Sequence, residues 1–118
     1  ATPLFIAAKK GWQEVALLLL EASVDKDKAN VNDATPLFVA AEKGQLQVVR
    51  LLLESRADKN KVDISGATPV SVAAKKRQFH VVQVFLEELG MEIFHDRLEL
   101  VGLLQAVKGR AHRGRGQG

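Results

Sequence analysis

The chain has no cysteine. Disulfide frameworks and thiolate metal sites are therefore excluded, a composition that fits an intracellular protein. No apolar run approaches the roughly 18 residues of a membrane span. Leu17–Leu20 is the densest run and is far too short, and no signal-peptide pattern is visible. Histidine is scarce: His80, His95 and His112 are the whole set. Catalysis needs an activated nucleophile or a positioned acid and base. His80 is expected early in a helix, facing water. His95 and Asp96 are adjacent in a predicted turn, and adjacent side chains point apart. No Gly-x-Ser-x-Gly and no phosphate-cradling glycine loop after a strand occur, and histidines and carboxylates do not cluster at metal-ligand spacing. The expectation is a protein without catalytic residues, cofactor or metal.

Acidic residues are absent from one region. Residues 108–118, KGRAHRGRGQG, carry Lys108, Arg110, Arg113 and Arg115 and no Asp or Glu. Without this tail the formal charge of +3 becomes −1, so the body of the chain is close to neutral. The tail is rich in glycine and devoid of large apolar residues, so it is expected to be a mobile extension. Its Arg-Gly alternation resembles segments that contact RNA backbones, but no aromatic residue is interleaved for base stacking. Nucleic-acid contact through this tail is the weaker functional alternative, with a weak, salt-sensitive affinity for polyanions as its expected sign.

What the chain does contain is repetition. Thr2-Pro3, Thr35-Pro36 and Thr68-Pro69 are spaced by 33 residues, and so are Ala7-Ala8, Ala40-Ala41 and Ala73-Ala74. Residues 1–33 and 34–66 are identical at 17 positions without a gap. A strict period of this length marks stacked units, each unable to bury its own apolar face alone. Within the second unit, Thr35 reads as a helix N-cap and Pro36 as the first helical residue. Leu37, Val39, Ala40 and Ala41 form a short apolar helix, and Gly44 suits the left-handed position that ends it. A second helix, about Leu46–Ser55, presents Val48, Val49, Leu51, Leu52 and Leu53. Arg50 and Glu54 are placed to pair on its wet side. Ala57–Gly66 is polar and turn-rich.

TPLFVAAEKG, VVRLLLE, ADKN and the turn to Gly66-Ala67-Thr68-Pro69 resemble the ankyrin repeat, and the likeness covers residues 1 to about 89. There are departures. The family usually has His after Thr-Pro-Leu, where it helps tie one repeat to the next. Phe5, Phe38 and Ser71 stand there instead, which suggests apolar packing in place of a polar network. Ser23 and Arg56 replace the glycine expected before the Ala-Asp turn, and Arg77 replaces the one that ends the third unit's first helix.

The resemblance implies an all-α solenoid of stacked helix-turn-helix units joined by β-turn or hairpin-like loops. Repeats are expected at about 1–33, 34–66 and 67–90, with 91–107 a degenerate or capping segment. Leu98–Val107 would form its helix, and Gly90 is the expected C-cap of the third repeat. In the first repeat, helices are expected over Pro3–Lys10 and Gln13–Glu21, with Val15, Leu18, Leu19 and Leu20 facing inward. The chain starts at Ala1 inside a motif, and its first repeat lacks the polar outer face of a capping repeat. A further repeat upstream is therefore expected.

The resemblance also implies function: a non-enzymatic scaffold or module that binds another protein on its concave side. The residues in the matching slots are Val31, Asn32 and Ala34 in the first turn and Ile64, Ser65 and Ala67 in the second. On the first helices they are Lys9 and Lys10, Glu42 and Lys43, and Lys75 and Lys76. Stacking would align the helix pairs into a ladder of five lysines and one glutamate, suited to an acidic partner surface. Lys26, Lys28, Lys59 and Lys61, interleaved with Asp25, Asp27, Asp58 and Asp63, read as turn residues. A passive spacer within a longer array is the other alternative. The expected compartment is the cytoplasm, with the nucleus left open, and the expected state is a monomer or part of a longer chain.

Overall fold

The computed structural model describes residues 2–88. The expected C-cap at Gly90, the capping helix over 98–107, His95, Asp96, His112 and the basic tail lie outside the described residues. Six α-helices follow in order: α1 Pro3–Lys10, α2 Gln13–Glu21, α3 Pro36–Lys43, α4 Leu46–Glu54, α5 Pro69–Lys75 and α6 Phe79–Glu88.

The first helix of every repeat starts the same way. Thr2, Thr35 and Thr68 are N-caps whose hydroxyls accept from the backbone N–H three residues on, at 3.1 Å in each case. A proline follows at the first helical position, where its missing N–H costs nothing. Ser71 closes a reciprocal capping box by accepting from the Thr68 N–H at 2.9 Å. Where the first helices end, Gly11, Gly44 and Arg77 all hold positive φ. After the second helices Ser23 and Arg56 do the same. The missing glycines are thus replaced without a change of backbone shape.

The first helices α1, α3 and α5 form one layer and α2, α4 and α6 the other. Ala7, Ala8, Ala40, Ala41 and Ala73 are fully buried between helices, because a methyl group lets backbones approach. Leu37, Val48, Val49, Leu52, Val81 and Phe85 fill the space between layers. Phe5 and Phe38 are buried, so two of the slots usually held by histidine pack as apolar sites, while Ser71 in the third stands exposed and hydrogen-bonds Thr68, because it serves the helix cap.

Two expectations about the second helices are corrected. Val15 and Leu18 are exposed, and Leu19 and Leu20 are only half-buried. Ala16 is the residue that α2 buries. The leucine run has no internal period to set a face, and among the described residues no helix packs on that side of repeat 1. Arg50 and Glu54 make no ion pair, and both stand exposed.

Adjacent repeats are also tied by polar links that the period alone did not announce. Gln45 Nε2 donates to the Lys9 carbonyl at 3.1 Å, and Gln78 Nε2 to the Glu42 carbonyl at 3.3 Å. Each satisfies an orphan carbonyl at the end of the preceding first helix. The Asp58 N–H donates to Asp27 Oδ1 at 2.9 Å, and the Ile64 N–H to the Asn32 carbonyl at 3.0 Å.

Candidate interaction face

The turns between repeats are built on one acidic or amide side chain each. Asn30 Oδ1 accepts from the backbone N–H groups of Asn32 and Ala34, at 2.9 and 3.0 Å. Asp63, in the same slot of the next repeat, accepts from the Ser65 N–H, the Ser65 hydroxyl and the Ala67 N–H, at 2.9, 2.6 and 3.1 Å. The turn closes through Asn30 N–H to Ala34 and Asp63 N–H to Ala67. The Ser65 hydroxyl, opposed by desolvation and aided by weaker bonds from the Ala67 and Ser65 backbone N–H groups, holds the Asp63 carboxyl below its ordinary pKa.

These loops hold the tips outward. Val31 is 93% exposed and Ile64 67%, with Asn32 and Ser65 exposed beside them. Lys9, Lys10, Lys43, Lys75 and Lys76 are exposed at the ends of the first helices, and Glu42 is half-buried. Ala34 does not belong to the exposed set. It is buried, because both its N–H and its C=O are spent on Asn30. Ala67 is half-buried for the same reason.

A hollow of about 260 Å³ lies between the first turn and helices α1 and α3. It brings together Lys9, Asn32, Glu42 and Lys43 from the expected set, and Ala34 contributes to its wall. Lys10, Val31, Ile64, Ser65, Ala67, Lys75 and Lys76 do not line it. The hollow also contains Phe5, Phe38, Asn30 and Asp63, which the motif comparison did not assign to a surface. Their recurrence at 33 residues was the available signal. The outer layer has the opposite charge. Among the described residues, Glu14, Glu21, Glu54, Glu87 and Glu88 stand on the second helices with Arg50 as the lone lysine or arginine. Among the described residues no group of His, Asp and Glu could hold a metal ion, and no helix is long and apolar enough to cross a membrane.

Comparison with known proteins agrees with this geometry. No curated protein sequence matches the chain. A crystal structure of the human ASB11 ankyrin repeat domain superimposes with a TM-score of 0.70 at 30% sequence identity, over 75% of this chain and 40% of that one. This chain therefore spans well under half the length of that relative. The family model described as ankyrin repeats (3 copies) matches residues 1–63. With the 33-residue period, the paired helix layers and the capped Thr-Pro starts, that match shows that the chain belongs to the ankyrin repeat family.

Proposed function

We propose that this chain is a non-enzymatic binding module that takes an acidic protein surface on the side formed by the turn tips and the ends of the first helices. Ankyrin repeats generally serve as protein–protein interaction modules. The observation that carries the finer reading is the hollow beside Phe5 and Phe38, flanked by Lys9 and Lys43. Apolar tips Val31 and Ile64 stand exposed on the turns. Lysines on a near-neutral body steer an acidic partner, and the aliphatic tips provide contact area that is dry once bound. Such a module fits the interior of a cell, in keeping with the absence of cysteine.

The test compares residues 1–118 with the triple change Lys10→Glu, Lys43→Glu, Lys76→Glu in pull-downs from lysate, with both baits shown to be folded by circular dichroism. The expected outcome is a protein retained by the first and lost by the second, with retention falling as salt rises. Equal retention by both would move the interface to another face.

A further inference from the structure

The ends of the first helices carry two columns of charge at the 33-residue period. Lys10, Lys43 and Lys76 form one column, of a single sign. Lys9, Glu42 and Lys75 form the other, and its sign changes in the middle. Helices α1, α3 and α5 lie side by side in that order. A segment that crosses them therefore meets positive, negative and positive charge in turn. Packed helix axes stand about 8–10 Å apart, which sets the step between those charges.

The hollow between the first turn and α1 and α3 lies where the sign changes. Lys9 and Lys43 line it together with Glu42 and Asp63, so two lysines against two carboxylates leave no net charge. Among the described residues none of these four groups has an ion-pair partner. Asp63 Oδ1 is taken by Ser65 and Ala67, while its Oδ2 accepts nothing. A uniformly acidic segment sets a carboxylate against Glu42 and Asp63, and like charges held close across an interface are penalised. A basic side chain at that point lays its apolar stem along the wall that Phe5 and Phe38 provide and its head on the carboxylates. Arginine fits best, since a planar guanidinium can donate to two carboxylates and stack on an aromatic ring.

We propose that the occupant of this face is an extended segment of a partner protein with an acidic, a basic and an acidic residue at every third position. The inference rests on the reading of this side as the binding face. The outer acids pair with Lys9 and Lys75, and the central basic side chain enters the hollow on Glu42 and Asp63. The all-lysine column keeps the preference for a segment of net negative charge. Backbone geometry selects the conformation. A β-strand turns every third side chain to its opposite face. A polyproline II segment has three residues per turn and rises about 3.1 Å per residue, so every third side chain returns to one face after about 9 Å. That repeat matches the step between the helices. Such a segment leaves its own backbone without internal hydrogen bonds. The side-chain amide of Asn32, which lines the hollow and has no partner among the described residues, can donate to it.

The test titrates residues 1–118 into two labelled peptides and follows fluorescence anisotropy. One peptide carries glutamate, arginine and glutamate separated by pairs of prolines, which hold the polyproline II form in advance. The other carries glutamate at all three positions. The expected result is binding of the mixed peptide about fivefold tighter than of the all-glutamate one. Glu42→Lys reverses that order. Its fold is retained, because Gln78 bonds the backbone carbonyl of residue 42 and not the side chain, and circular dichroism checks this. Equal affinity for the two peptides, or a preference that Glu42→Lys leaves in place, would overturn the charge pattern and keep the face. Binding of neither peptide would overturn both the pattern and the face. Tighter binding of a helical peptide with the same three charges seven residues apart would give the face to a helix. Self-association of the chain in sedimentation that Glu42→Lys abolishes would give it to a second copy, and either result also overturns the proposal.

Discussion

Arg56 holds a φ of 66° directly after α4, and Arg77 a φ of 62° after α5. An L side chain in this region costs about 1–2 kcal/mol, part of which glycine returns as entropy of the unfolded chain. Arg56→Gly is expected to stabilise the protein by about 0.5–1 kcal/mol, read as a higher urea midpoint. Arg77 is different, because its guanidinium lies 5.6 Å from the centre of the Phe79 ring and that contact offsets part of the strain. The reverse experiment is Gly44→Ala. It places a methyl at φ 73° and against the Gln78 amide that caps α3, so it should cost more than about 1 kcal/mol. Asp63 sets a third expectation. Its carboxyl is held below the ordinary value by Ser65 and the turn amides, so its contribution is present above the unfolded-state pKa. That contribution is lost as pH falls through the lower folded-state value, below about pH 4. Asn30 shows that an amide can hold the same turn, so Asp63→Asn should keep the fold and flatten this acid-side slope in pH-dependent urea unfolding.

At the scale of the element, the starts and stops of the helices were legible and their buried faces only partly so. Thr-Pro sets the first turn, and the residues after Lys10 and Lys43 are glycines that can turn left-handed. Such punctuation is local chemistry and needs no neighbour. A face is different. Leu17–Leu20 offers four similar side chains around nearly a full turn, and which of them is covered depends on the repeat stacked beside it. The same holds for Ala34, which looked like a turn-tip residue until Asn30 drew its backbone inward. The period predicts aligned lysines but gives no sign that Phe5 and Phe38 line a hollow beside Lys9 and Lys43. Leu52, fully buried in α4, and Leu18, exposed in α2, make the contrast measurable. Leu52→Ala should cost about 2–5 kcal/mol and Leu18→Ala within about 0.5 kcal/mol, by urea denaturation of both variants.

For the whole molecule, stability is a sum of units and the contacts between neighbours. Among the described residues, repeat 2 has a partner on each side and repeat 1 on one side. Amide hydrogen exchange should therefore be slowest in α4 and faster by about tenfold in α2, with the Leu52 and Leu53 amides as reference. Equal protection would mean that the stack opens as one block.

The two layers also differ in charge, lysine at the ends of the inner helices and glutamate along the outer ones. Among the described residues, charge separated between the two layers contributes a dipole moment transverse to the stacking direction. The field of an acidic surface exerts a torque on that moment, turning the lysine side forward before any atoms touch. The net charge sets how strongly the body is attracted, while the separation sets which way it arrives. On the proposed reading, reversing the lysines lowers the affinity for an acidic partner and also randomises the angle of approach.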